Sequence, residues 1–177
     1  MRLPDTPLPY LLLLLVFSAA GLVLADDDDG DDGPRSARAL PQVSHPQWKQ
    51  ECSSCHMLYP PALLPERSWR AMMGGLDAHF GENAQLDAAT RDNITAFLVA
   101  NSADHTAARR ARMLARSIPA DEIPLRISTT RYFRRKHDEV STEVFKRASV
   151  GSAANCVACH SGAEKGAFSE ETVRIPR

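Results

Sequence analysis

Two short stretches of the chain pair cysteines at a spacing typical of metal binding or redox chemistry. Residues 52–56 read CSSCH and residues 156–160 read CVACH, so each pair of cysteines is followed at once by a histidine. A Cys-x-x-Cys pair serves as a redox dithiol, as half of a zinc site, or as the attachment point of a covalently bound haem. The two stretches contain all four cysteines of the 177-residue chain. The surrounding sequence must therefore decide among three chemistries.

The two adjacent histidines favour haem. A thioredoxin-like dithiol is expected in a βαβ context, and the sequence has no long runs of β-branched residues. Zinc sites made of two Cys-x-x-Cys pairs usually separate them by about 15–20 residues, whereas these pairs lie about 100 residues apart. With six histidines in the chain, both pairs would be followed by histidine by chance with a probability of roughly 0.1%, and Cys-x-x-Cys-His is the attachment signal of haem c. We therefore predict two covalently bound haem c groups, one on Cys52 and Cys55 with His56 as an iron ligand, and one on Cys156 and Cys159 with His160 as an iron ligand.

His79 is the predicted second axial ligand of the first haem. It belongs to an apolar face that repeats at helical spacing after Ser68, the predicted N-cap. The members of that face are Trp69, Met72, Met73, Leu76, His79 and Phe80. Gly74 and Gly75 weaken a helix, but they also let a flat macrocycle approach the backbone. Met72 and Met73 are the alternatives, although methionine at such spacing is more often part of a core.

His137 is the predicted second axial ligand of the second haem. It lies in a basic segment, 19 residues before Cys156. The alternatives are His105, which is expected in the solvated first turn of a helix, and Met113, which is expected to pack in that helix. His45 precedes a proline and is predicted to be extended and to face solvent, with coordination of the first haem as the alternative.

The first 25 residues have the layout of a secretory signal peptide. Arg2 precedes the apolar run Tyr10–Leu24, and small residues lead to a predicted cleavage site after Ala25. The run of about 15 residues is shorter than the roughly 20 that a membrane-spanning helix needs, although an uncleaved anchor is the alternative. We therefore expect the mature protein in the periplasm. Because this compartment is oxidising, a simple disulfide within each cysteine pair is an alternative.

The acidic residues are concentrated just after this signal. Residues 26–32 read DDDDGDD and contain six of the 22 acidic residues. Residues 26–46 contain little to bury, so we predict a disordered acidic leader. Arg2 is the only basic residue before Gly33, so 20 Lys and Arg follow, against 15 Asp and Glu. The four carboxylates of two haems would offset most of that excess, and the charge therefore does not predict nucleic-acid binding.

The remaining chain is predicted to be mainly α-helical and to form two small haem-binding domains. Residues 47–102 contain the first attachment segment, the segment of His79 and a closing helix within Leu86–Ala100 that Asp87 is expected to cap. That order is similar to a class I cytochrome c. Residues 103–177 begin with a helix, continue through an irregular Pro-containing stretch and end with the second attachment segment. Units this small bury little apolar surface, so we expect each haem to supply much of its core.

Four longer stretches resemble the bacterial dihaem cytochromes c. They read ECSSCHMLYPPALLPERSW, MGGLDAHFGENAQLD, PLRISTTRYFRRKH and NCVACHSGAEKGAF, and they span the chain from about Gln50 to Ile175. The resemblance implies a first domain like class I cytochromes c and a second with few helices. It also implies two low-potential, six-coordinate haems, each ligated by two histidines: His56 with His79, and His160 with His137.

The predicted function is electron transfer without catalysis. Two protein ligands on each iron leave no position for a substrate, so the chain is not expected to be an enzyme. The resemblance implies redox partners such as an oxygen-binding monohaem cytochrome or a membrane b-type cytochrome. A membrane is expected only as the location of such a partner. We also expect the protein to be a monomer. A small dihaem peroxidase, or the electron-transfer subunit of a periplasmic reductase, is the alternative. A zinc or disulfide protein without haem is the third interpretation.

Overall fold

The computed structural model describes residues 39–177. The predicted signal peptide and most of the predicted acidic leader, residues 26–38, lie outside the described residues. Six α-helices lie within the range: Pro46–Cys52 (α1), Glu66–Gly74 (α2), Ala88–Ala100 (α3), Arg109–Arg116 (α4), Arg131–Lys136 (α5) and Thr142–Phe145 (α6). From residue 39 onward there is no β-strand, and no helix there is long and apolar enough to cross a membrane.

This architecture confirms the mainly α-helical prediction. Short 3₁₀ turns connect the helices, and the last two helices have only six and four residues. The second half of the chain is accordingly irregular, as the sequence indicated. Because most of the chain that follows α4 is loop, tertiary contacts must hold its functional residues in place.

Helix α1 begins with a capping interaction that the sequence analysis missed. The backbone N–H of Trp48 donates to Nδ1 of His45 at 3.3 Å, and Pro46 occupies the first turn, where its missing N–H costs nothing. The His45 ring also packs against Phe97 of α3, with 4.9 Å between ring centroids. The prediction that His45 faces solvent is therefore wrong, because this side chain is half-buried and caps a helix.

Helix α2 begins three residues earlier than predicted. Pro65 is its N-cap, and the Pro65 carbonyl accepts from the N–H groups of Ser68 and Trp69. Ser68 lies inside the helix with 0% exposure, so its prediction as the N-cap is wrong. The helix ends at Gly74, and the residues up to Ala78 form a 3₁₀ turn. The apolar face that runs from Trp69 to Phe80 is thus divided between a helix, a turn and a loop.

The closing helix α3 agrees with its predicted position and cap. A side-chain oxygen of Asp87 accepts from the N–H of Thr90 at 3.0 Å. That hydrogen bond lowers the pKa of the Asp87 carboxyl below its usual value. Ile94 and Leu98 are fully buried, whereas Ala100 at the end of the predicted face is exposed.

Two hydrophobic clusters form the core. The first consists of Leu40, Ala62, Leu63, Ala103, Ala111, Leu114 and Ile118, and the second consists of Trp48, Leu64, Trp69, Met73, Ile94 and Leu98. Two partly buried side chains, Tyr59 and Ile127, pack against both clusters. The first cluster combines residues from both sides of the predicted domain boundary at residue 102. The division into two haem-binding domains stays a prediction, and the hydrophobic core is continuous across it.

The end of the predicted leader is part of this core. Leu40 is 2% exposed, and its N–H donates to the carbonyl of Gly166 at 2.9 Å. Gly166 has φ +65°, and a Cβ at this position would lie 2.8 Å from the carbonyl oxygen of Leu40. The prediction of a leader with little to bury therefore fails at Leu40, because this side chain packs in the core and its backbone bonds to Gly166.

The helix expected from residue 103 is also divided. Ala103–His105 forms a 3₁₀ turn, and α4 starts only at Arg109, so His105 does not lie in the first turn of an α-helix. The His105 side chain is exposed, as expected, but its Nε2 lies 2.8 Å from Oε2 of Glu66 at the start of α2. This hydrogen bond lowers the pKa of the Glu66 carboxyl. In return, the N–H of Glu66 donates to the carboxylate of Asp104.

A second connection is made by Arg67. Its guanidinium donates to the carbonyls of Pro119 at 2.9 Å and Glu122 at 2.8 Å, which lie in the loop after α4. That loop leads directly to Arg126, a residue close to the first predicted haem site. Helix α2 thus supports both the segment that carries His79 and the loop that approaches it.

Candidate haem sites

The first attachment segment straddles the end of helix α1. Cys52 is the last helical residue and is half-buried, whereas Cys55 and His56 follow in the turn and are exposed. The turn is closed by the N–H of Ser53, which donates to the carbonyl of Lys49 at 3.2 Å. The helix end therefore places the two thiols and the histidine within one short turn, as covalent attachment to one porphyrin requires.

His79 lies opposite His56. The centroids of the two imidazole rings are 6.1 Å apart, and their planes make an angle of 34°. A metal held at about 2 Å from a nitrogen of each ring, with about 1 Å from each nitrogen to its ring centre, separates the centroids by about 6 Å. The distance between these rings is therefore that expected of two axial ligands on one iron.

A tight turn positions His79. It follows the 3₁₀ turn Leu76–Ala78, and its carbonyl accepts from the N–H of Glu82 at 3.1 Å. The next residue, Phe80, has φ +56°, a left-handed conformation that costs a non-glycine residue roughly 1–2 kcal/mol. The Phe80 ring lies 4.7 Å from the ring of His79 and is covered by the guanidinium of Arg126 at 3.9 Å. This cation–π contact helps to hold the strained turn.

Hydrogen bonding at His56 and burial at His79 both favour metal binding by the first pair of histidines. Nδ1 of His56 donates to the carbonyl of Met57 at 2.7 Å, which leaves the lone pair of Nε2 available. Burial lowers the pKa of His79, and the nearby His56 and Arg126 lower it further. A lowered pKa favours the neutral imidazole, the form that coordinates iron.

The second attachment segment forms a 3₁₀ turn, Cys156–Ala158, instead of the end of an α-helix. Cys156 and Cys159 are half-buried. His160 follows directly and pairs with Val173 in an isolated β-bridge. The last segment of the chain thereby fixes the backbone of the second attachment site.

His137 lies opposite His160 in a similar arrangement. The ring centroids are 6.0 Å apart, with an interplanar angle of 77°. His137 directly follows helix α5, which is capped by the hydroxyl of Thr130, and it stacks on Phe133 at 3.9 Å. Its Nδ1 donates to the carbonyl of Phe133 at 2.8 Å, so Nε2 is again free to bind a metal.

His160 differs from His56 and His137 in its hydrogen bonding. Its Nδ1 is buried and has no hydrogen-bond partner among the described residues. Burial lowers the pKa of His160, with further contributions from His137 and Arg110. The ring is therefore neutral and held mainly by packing, including a contact of 5.6 Å with the ring of Phe168.

The cysteines themselves argue against redox and zinc chemistry. None of the four forms a disulfide, and burial raises the pKa of the Cys52 and Cys156 thiols to about 11. Redox-active Cys-x-x-Cys pairs need the opposite, a lowered thiol pKa. In the part of the chain that the structure describes, no three His, Cys, Asp or Glu side chains converge as a zinc site would require. Two thiols beside a pair of imidazole rings about 6 Å apart fit a covalently attached haem at each site.

The rival ligands are engaged elsewhere. Met73 is 5% exposed in the second core cluster, and Met72 packs against that cluster. His45 caps α1, and His105 pairs with Glu66. Met113 is half-buried in helix α4. The assignment of His79 and His137 as axial ligands stays a prediction, and it rests on these contacts and on the two ring distances.

Sequence reasoning missed three residues around these sites. Arg126 stacks on Phe80 beside His79, and the ring centroid of Tyr59 lies 5.1 Å from that of His56. Phe80 was assigned only to an apolar face, and Arg126 lies 46 residues after Phe80 in the sequence. The position of Tyr59, three residues after a predicted iron ligand, was the one local signal available.

Comparison with known proteins gives a family match and similar solved structures. The family model "Dihaem cytochrome c" matches residues 48–168. A search of curated proteins finds no match. The structure "Diheme cytochrome c from Rhodobacter sphaeroides" is 50% identical, covers 73% of this chain and 99% of its own, and superposes with a TM-score of 0.63. A diheme cytochrome type c from Shewanella baltica OS155 is 37% identical over 73% of this chain and 91% of its own, with a TM-score of 0.59.

The family match spans residues 48–168, a range that contains both attachment segments and both pairs of histidines. The four cysteines that covalent attachment needs are present in that part. The chain belongs to the dihaem cytochrome c family, and its cofactors are two haem c groups.

Proposed function

We propose that this dihaem cytochrome c is a low-potential electron relay of the periplasm, with each haem held between two histidines. Membership of the family implies electron transfer. Each haem supplies, when bound, a couple that accepts and releases one electron. The chain determines the potential of that couple, the exposure of each site and the distance between the sites.

The observation that carries this proposal is that two pairs of imidazole rings lie close together, with ring centroids 6.1 Å and 6.0 Å apart. Methionine as an axial partner raises a haem potential, so histidine on both sides favours a lower one. The carbonyls of Met57 and Phe133 accept from Nδ1 of His56 and His137, which makes these imidazoles stronger donors to the metal. Stronger donation stabilises the oxidised iron and lowers the potential further.

The same geometry argues against catalysis at the metal. A peroxidase needs one haem whose distal ligand leaves, so that peroxide reaches the iron. His79 is held by a turn that Phe80 and Arg126 cover, and His137 is held by Phe133 through both a ring contact and a hydrogen bond. Both distal histidines are thus supported in place, as a carrier requires.

The proposed location rests on the predicted signal peptide, and the proposed partners rest on the resemblance to the dihaem cytochromes c. A signal peptide at residues 1–25 would export the chain to the periplasm, where haem c proteins exchange electrons with other carriers. An oxygen-binding monohaem cytochrome and a membrane b-type cytochrome are the proposed kinds of partner. We propose that the protein acts as a monomer.

Low-temperature electron paramagnetic resonance of the oxidised holoprotein tests the ligation at both haems at once. We expect two low-spin signals of the bis-histidine type, and a potentiometric titration with two low midpoints. A His79→Met variant should raise one midpoint and leave the other in place, because methionine is the poorer donor to oxidised iron. A histidine–methionine signal from the unmodified protein would refute the proposal. Rapid binding of carbon monoxide by the reduced protein at one haem would instead favour a peroxidase.

A further inference from the structure

Tyr59 lies between the two predicted haem sites. Its ring centroid is 5.1 Å from that of His56, and the two rings are tilted by 48°. Its hydroxyl donates to the carbonyl oxygen of Ala154 at 2.7 Å. Ala154 is 95 residues further along the chain and only two residues before Cys156. One side chain thus contacts the first iron ligand and the segment that anchors the second haem.

The carbonyl of Ala154 connects this hydrogen bond to the second site. The same oxygen accepts from the backbone N–H of Cys156 at 3.0 Å and lies 3.5 Å from Sγ of Cys156. In the haem-bound protein this sulfur is a thioether without a proton, so the contact with Sγ is then one of packing and the N–H bond remains. A continuous path therefore runs from His56 through the Tyr59 ring, its hydroxyl and the Ala154 carbonyl to Cys156.

The surroundings hold Tyr59 in this position. The side chain is half-buried and packs against both hydrophobic clusters of the core. Its hydroxyl donates to the carbonyl of Ala154 at 2.7 Å. A buried donor without an acceptor is destabilised by the loss of its hydration, and the bond to Ala154 is favoured for this reason.

We propose that Tyr59 is the protein link that couples the two haems, through its ring beside His56 and its hydrogen bond to the carbonyl of Ala154. This rests on the proposed relay, in which His56 and Cys156 serve different haems. One electron leaves the reduced haem and reduces the oxidised one, while Tyr59 itself is neither oxidised nor deprotonated. Its role is to connect the two attachment segments electronically and to hold their spacing.

Two variants separate the parts of this link. Tyr59→Phe removes the hydroxyl and keeps the ring beside His56, whereas Tyr59→Leu removes both. Tyr132→Phe is the matched control, because it removes a hydroxyl from another partly buried tyrosine that packs against the first core cluster. The rate of electron exchange between the haems is measured on the half-reduced holoproteins from the exchange broadening of the haem methyl proton resonances. Both midpoint potentials are measured on the same samples.

The expected order of the exchange rate is unmodified protein, then Tyr59→Phe several-fold slower, then Tyr59→Leu slower again. The two midpoint potentials should stay close to those of the unmodified protein, because no iron ligand changes, and Tyr132→Phe should match the unmodified protein in all three quantities. A rate equal to that of the unmodified protein in either Tyr59 variant that carries both haems overturns the proposal. Equal losses of rate in Tyr59→Phe and Tyr132→Phe overturn it as well. If the unmodified protein itself shows no exchange between its haems, the relay fails, and the link proposed for Tyr59 fails with it.

Discussion

Replacing His79 by alanine tests the ligation of the first haem without touching the second. The ring of His79 accounts for one side of the 6.1 Å separation from His56, and alanine leaves that side without a nitrogen. Two alternative ligands are held elsewhere, since His45 caps α1 and packs on Phe97, and Met73 is 5% exposed in the core. We therefore expect the first haem to become five-coordinate and high-spin.

The size of the effect follows from the separation of the two sites. His137 and His160 contact neither His56 nor His79 in the ring pairs of the structure, and each pair has its own supporting contacts. One haem of two should therefore change, so that half of the low-spin signal of the oxidised protein is lost. The reduced variant should also bind carbon monoxide at one haem per chain, whereas the unmodified protein should bind little.

Absorption and electron paramagnetic resonance spectra of the purified holoprotein provide the measurement. His105→Ala is the matched control, because that histidine is exposed and pairs with Glu66 instead of a second histidine. A His79→Ala variant whose spectrum equals that of the unmodified protein would refute the reasoning. It would show that His45 or a methionine is the ligand.

Three further predictions concern the second site and the stability of the fold. His137→Ala should convert the second haem to the high-spin form and leave the first unchanged by the same spectra; if His105→Ala does this instead, the assignment of His137 is wrong. Gly166→Ala should lower the thermal midpoint of unfolding. The left-handed φ of +65° alone costs alanine about 1–2 kcal/mol, and the new Cβ would lie 2.8 Å from the carbonyl oxygen of Leu40. An unchanged midpoint would show that the contact between Leu40 and Gly166 relaxes freely. Glu66→Gln should destabilise the protein at neutral pH and lose its effect in acid. The pKa of Glu66 is lowered in the folded state, so its contribution is complete above the ordinary pKa of a glutamate, about 4.3, and disappears as the pH falls through the lower folded value. Thermal unfolding of both proteins between neutral and acidic pH measures this, and a difference that grows in acid would contradict it.

The comparison of prediction and structure shows which features are local. Asp87 caps α3 as predicted, because an N-cap depends on a side chain and a backbone N–H three residues away. The predicted start of α2 was wrong, although an N-cap there also depends on neighbouring residues. Ser68 has the side chain of a cap, but Pro65 already directs its carbonyl to two N–H groups, and Ser68 is buried inside the helix.

Features that depend on residues far apart in the sequence could not be predicted from local patterns. Leu40 lies in a segment whose composition indicates disorder, yet it is buried because the backbone of Gly166 approaches closely enough to accept its N–H. His45 has a proline next to it and reads as an exposed residue, yet it packs on Phe97, 52 residues later. In each case the deciding partner lies far along the chain, where neither spacing nor composition identifies it.

The sequence by itself determined the chemistry of attachment, because the two thiols and the histidine of each site lie within five consecutive residues. It also narrowed the remaining ligands to a few histidines and methionines. Only the tertiary structure decided which of these approach the attachment histidines. His79 and His137 face them at about 6 Å, while the other candidates are occupied as a cap, a salt-bridge partner and core side chains. The same holds for Tyr59, whose bond to Ala154 spans 95 residues and exists because two hydrophobic clusters pack against one ring.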